Sequence, residues 1–124
     1  MDDIPQNARE LFARSATDLD ATALAALRAD VSAHLGAFRE AAKRLELLPL
    51  DVAEQIASGL LSLFDGYASL PPDHRKLVAG AARYFVSHED ARPDLSGVLG
   101  LDDDAAVFNH VARAIGRLDL IVDP

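Results

Sequence analysis

Cysteine is absent from this chain, and so is tryptophan. Without cysteine there can be no disulfide, no thiolate metal site and no cysteine nucleophile, and nothing points to an oxidising compartment. Aromatic residues make up 6% of the sequence, so leucine, alanine and valine must fill the core. Basic residues are in the minority, 12 against 20 acidic, for a formal charge of −8. Nucleic-acid binding rests on basic side chains displacing counterions from phosphates, and this balance excludes it as the leading class. Long apolar runs are missing too. The longest stretch free of Asp, Glu, Lys and Arg is the ten residues Gln55 to Phe64, about half of what a membrane-spanning helix needs. The opening segment MDDIPQNARE is acidic and polar, whereas a secretory signal would be basic and then apolar, so a cytoplasmic, soluble protein is expected.

What remains is ordinary globular material. The 124 residues are half hydrophobic and about a quarter charged, which suits a single domain with one core. The periodicity is helical almost throughout. Ala8, Leu11 and Phe12 suggest a short opening helix after Pro5. The longest element is expected to start at Asp18 to Asp20 and to reach Leu45 or Glu46. In it Leu24, Val31, Phe38 and Leu45 recur every seven residues, with Leu27, Leu35 and Ala42 between them, a stripe of about 40 Å if unbroken. This stripe reads first as core and second as the seam of a homodimer.

A corner at Pro49 follows, with Asp51 and Glu54 resembling a capping box for the next helix, whose stripe is Ala53, Ile56, Leu60, Phe64 and Tyr67. The short connection predicts an antiparallel hairpin of these two helices. Pro71 and Pro72 precede a third main helix, opened by Asp73 and carrying Leu77, Val78, Ala81, Tyr84 and Phe85. A fourth is expected to begin in Asp102 to Asp104 and to carry Val107, Phe108, Val111, Ile115 and Leu118. No stretch alternates as a strand does, and the closing LDLIVDP is too short to found a sheet. The expectation is an all-α, single-domain helical bundle spanning 1–124, with four main helices and a short N-terminal one.

One stretch breaks the pattern. Tyr84 to Ala105, YFVSHEDARPDLSGVLGLDDDA, holds six acidic residues and one arginine without helical period. The bland reading is a corner between the last two helices. Asp102, Asp103 and Asp104 would cap a helix start and face its positive dipole end, while Asp90 and Asp94 would close turns beside Pro93. The sharper reading is a hard-oxygen site for Mg²⁺ or Ca²⁺. Asp90, Asp94, Asp103 and Asp104 would be its ligands, with His88 or His110 as additions. It is no EF-hand, since counting from Asp90 puts Leu101 at the twelfth position, where a bidentate Glu is needed.

Other constellations carry little. Ser87 and His88 are adjacent, but a catalytic triad is made by the fold and not by adjacency. His34 borders an apolar stripe and reads as a packed histidine, and His74 follows a helix start. Arg39, Lys43 and Arg44 form a small basic cluster, with Glu40 four residues before Arg44, the order of a solvated helix face. No catalytic residue is assigned.

The same stretch resembles the bacterial YkvA-like family of unknown function. The family pattern is a Tyr, then SP-x-D-x-x-PD, an apolar turn, a Gly and two aspartates. Here it is matched by Tyr84, Ser87, Asp90, Pro93, Asp94, Val98, Leu99, Gly100, Asp103, Asp104 and Ala105. His88 replaces the usual Pro, and Glu89, Ala91, Arg92, Ser96, Gly97 and Asp102 stand at commonly apolar positions. The resemblance implies a helical architecture and, in many members, contact with a membrane; it implies no general activity. The reading that follows is a non-enzymatic helical domain acting through a protein partner or self-association, including a homodimer. Its alternatives are a small metal-binding protein or metal-dependent hydrolase using residues 90–104, and a peripheral membrane protein.

Overall fold

Residues 6–44, 49–86 and 96–122 are described by a computed structural model of the chain, apart from the side chains of residues 6–8, 11, 96–100 and 102. Five α-helices follow one another: α1 (Gln6–Ser15), α2 (Ala21–Ala42), α3 (Leu50–Asp65), α4 (Pro72–Val86) and α5 (Ser96–Ala114). Short 3₁₀ turns follow α3 (Tyr67–Ser69) and α5 (Leu118–Leu120). No strand occurs among the described residues, so the all-α bundle is the fold.

α2 starts where Asp20, in extended conformation, turns its carboxylate onto the Ala23 N–H at 2.7 Å. That bond satisfies one of the donors a helix start leaves open. Leu27, Val31 and Leu35 are the residues of α2 that go fully inside, with Leu24 and Phe38 packed at the edge of the core. The helix ends at Ala42 and is therefore about 33 Å long at 1.5 Å per residue. Leu45 and Glu46 lie outside the described residues.

α3 is the most deeply buried element. Ala53, Ile56, Leu60, Phe64 and, just beyond the helix, Tyr67 are all inside, joined by Val52, Ala57 and Leu63. That arc is wide because α2, α4 and α5 all pack on α3. Two ion pairs show the direction of the α2–α3 hairpin. Arg28 reaches Asp65 at 2.9 Å and Arg39 reaches Glu54 at 3.2 Å. Eleven residues later on one helix is eleven residues earlier on the other, which is antiparallel register. The capping box expected of Asp51 and Glu54 is not formed: Pro49 precedes α3 without a side-chain cap, and Glu54 turns to Arg39 instead.

α4 begins at Pro72, at the first helical position where a missing N–H costs nothing. Four successive small residues, Ala79 to Ala82, are buried and let neighbours come close. At Gly80 an added Cβ would lie 2.9 Å from the Phe12 ring and 3.0 Å from the Ala16 backbone, so α1 can lie against α4 because Gly80 has no side chain. Phe12 also meets His110 of α5 edge-on, with ring centroids 6.0 Å apart. His34 is packed edge-on against Phe38 at 5.1 Å and Phe85 at 4.8 Å, the packed histidine expected of it.

α5 closes the bundle with Leu101, Ala105, Phe108, Val111 and Ala112 inside. It ends in a Schellman arrangement. Gly116 takes φ 77°, and Arg117 N–H reaches back to Ala112 O at 2.8 Å. Leu118 therefore lies past the helix and is 66% exposed, not part of the stripe to which its spacing assigned it. The chain then returns to the core through Val122, held by Asn109. Its amide donates to Val122 O at 2.9 Å and accepts from Val122 N–H at 2.8 Å.

Candidate functional site

Asp102 to Asp104 are expected to open the last helix, and here the expectation fails. α5 begins at Ser96, so Asp102, Asp103 and Asp104 are its seventh to ninth residues. Past the first turn, backbone N–H groups are already bonded within the helix and have no need of a carboxylate cap. The capping reading of these three aspartates is thereby corrected. Asp103 and Asp104 are half-buried on α5, and His110 is a half-buried neighbour of Phe12. Asp90, Asp94 and His88 lie outside the described residues, as do Ser87, Glu89 and Pro93. Among the described residues no three acidic or histidine side chains stand together as a metal would require.

Two other polar assemblies emerge. The first joins Asp18, Tyr67 and Arg75. Tyr67 is 4% exposed, and its hydroxyl donates to Asp18 Oδ1 at 2.5 Å while accepting from the Leu19 N–H at 3.0 Å. Arg75 Nε donates to both Asp18 oxygens, at 3.2 and 3.1 Å, and its Nη1 donates to Leu70 O at 2.9 Å. Hydrogen bonds from Arg75 and Tyr67 hold the Asp18 carboxyl down at about 2, against 3.8. Burial, and then the Asp18 bond, push the Tyr67 phenol up to about 12. Two turns along α4, Arg83 donates to Ser15 O at 2.7 Å, to Thr17 O at 2.8 Å and to the Thr17 hydroxyl. Both arginines of α4 thus grip the link between α1 and α2. Every partner in this assembly is another part of the chain, so it acts as an internal latch. In the sequence Tyr67 stands only as the end of an apolar stripe. A phenol at that place, beside a proline corner, is the one signal that a polar partner was needed.

The second assembly is a groove of about 430 Å³ between the first half of α3 and the returning C-terminal segment. Asp51, Glu54, Gln55 and Ser58 form one wall, spaced to share a helix face. Asp119, Leu120 and Ile121 form the other. Gly59 sits at its base, where a Cβ would come within 2.5 Å of the Phe108 ring tip. Asp119 is bridged by Arg117 at 3.0 Å, and that bond lowers its pKa while raising the arginine's. Glu54 is engaged by Arg39, and Asp51 has no ion-pair partner among the described residues. The groove is open, rimmed by carboxylates and apolar along the Leu120–Ile121 side. Such a surface can hold a cationic or mixed basic–apolar chain segment. None of its residues was read as a site from the sequence, because its two walls are more than fifty residues apart in the chain.

Comparison with known protein families, with characterised proteins and with solved structures finds no match for this chain. No helix among the described residues is long and apolar enough to cross a membrane.

Proposed function

We propose that the chain is a non-enzymatic interaction domain that binds a protein, another one or a second copy of itself, through the groove between α3 and the C-terminal segment. Leu118 carries the reading: it is 66% exposed, the large apolar side chain that stands out among the described residues, and it adjoins Asp119 on the groove wall. Covering such a leucine contributes on the order of 1.5–3 kcal/mol. An apolar anchor with charged groups around it is the usual make-up of a docking surface. The strongest polar contacts elsewhere, at Asp18, Tyr67 and Arg75, are occupied with holding the fold.

The test is a photo-crosslinking amino acid placed at Leu118, with Ala25 on the exposed face of α2 as control position. The expected result in the native cell is a protein adduct of defined mass from position 118 alone, competed away by excess unlabelled chain. A folded protein giving no adduct at 118, or the same adducts from both positions, would overturn the reading.

A further inference from the structure

We infer that the protein bound in this groove is a second copy of the chain, the basic end of α2 from each copy lying against the acidic groove of the other. The inference rests on the groove being a docking surface and names its occupant.

Its ground is the charge pattern of one end of the bundle. Because α2 and α3 are antiparallel, the last turn of α2 and the first turn of α3 lie together. Arg39 marks the boundary, since its Nε stands 3.2 Å from Glu54, which lines the groove. One turn beyond Arg39, just past the end of α2, are Lys43 at its C-cap and then Arg44, both exposed. Lys43 touches Glu40 of its own helix at 2.9 Å, a pair with both side chains about two-thirds exposed that is readily exchanged for another carboxylate. Arg44 has no ion-pair partner among the described residues, and on the acidic side the same holds for Asp51. A cationic patch and an anionic patch thus adjoin on one surface.

That pattern is what a twofold pair requires. In an isologous interface each patch meets its counterpart on the other copy, so both signs must lie on the same face of one chain, side by side. With a charge of −8, two copies repel over most of their surfaces. Opposed patches of opposite sign at this end remove the repulsion locally and fix one orientation, while Leu118 beside the groove supplies apolar area to cover.

The experiment uses two charge-reversed chains and sedimentation. The first carries Asp51→Lys with Asp119→Lys, the second Lys43→Glu with Arg44→Glu, and circular dichroism confirms that each is folded. The wild type is expected to form dimers, each reversed chain to lose at least tenfold in self-affinity, and an equimolar mixture to restore a mixed pair. Leu118→Ser, a change at an exposed position, should weaken the wild-type pair as well. A wild type that is monomeric up to about 1 mM, the weak end of specific affinity, overturns the inference. So do reversed chains that pair as the wild type does, or a mixture that stays monomeric. A monomeric wild type whose Leu118 position still crosslinks to a different protein removes the second copy while leaving the docking surface in place.

Discussion

The Tyr67 hydroxyl lies 2.5 Å from Asp18 Oδ1, a contact between residues 49 apart in sequence. It ties the link between α1 and α2 to the corner after α3, and Arg75 closes the triangle from α4. The loop 16–20 is short of regular structure of its own. Its position comes from this latch on one side and from Arg83 on the other.

Replacing Tyr67 by Phe keeps the packed ring and removes the hydroxyl. Asp18 loses a donor and the Leu19 N–H loses an acceptor. We expect a loss of roughly 1–2 kcal/mol, read as a lower urea midpoint with an unchanged slope. A midpoint equal to that of the wild type would show that the hydroxyl contributes nothing to stability.

The latch also sets two pH limbs. Asp18 is depressed to about 2 from 3.8, so the unfolded chain binds more protons between these values. Its contribution is complete above the unfolded value of 3.8 and is lost as pH falls towards 2. Tyr67 is raised to about 12 from 10.0, so there the folded chain holds more protons, and stability falls as pH rises across that window. Thermal melts should show Asp18→Asn with a flatter acid limb and Tyr67→Phe with a flatter alkaline one.

Two glycines should answer the same substitution with opposite signs. At Gly59 a Cβ would stand 2.5 Å from Cζ of Phe108, a ring 1% exposed and surrounded by core. Gly59→Ala should therefore cost about 1–3 kcal/mol through overpacking. Gly36, inside α2, has nothing within 4 Å of the place a Cβ would take. Gly36→Ala should stabilise by about 0.5–1 kcal/mol, because alanine restricts the unfolded chain and favours helix. Differential scanning calorimetry of the two variants gives the comparison directly.

Asp20 provides a check on capping. Its carboxylate holds the Ala23 N–H at 2.7 Å. Asp20→Ala should cost about 0.5–2 kcal/mol, whereas Asp20→Asn, which caps a helix nearly as well, should melt close to the wild type. Equal losses in both would assign the effect to charge near the helix start.

How much of this was legible beforehand differs by element. Local spacing was enough for the five helices, for the hairpin of α2 and α3, for Asp20 at a helix start and for a core of Leu27, Val31, Ile56, Leu60 and Phe108, since amphipathic period and chain stiffness act over a few residues. The start of α5 was not legible. Asp102 to Asp104 look like caps, but with Leu101 buried in the core the helix already runs from Ser96. The candidate site was hidden for a related reason. Asp51 and Glu54 form a passable capping box in sequence, and LDLIVDP shows only that it is too short to found a sheet. Tertiary packing turned Glu54 towards Arg39 and, through the Schellman turn at Gly116 and the Asn109 clamp on Val122, laid Asp119 to Ile121 beside α3. Contacts of that kind depend on where distant segments come to rest. No local pattern encodes them, and they form because burying the apolar faces leaves the chain no other way to close.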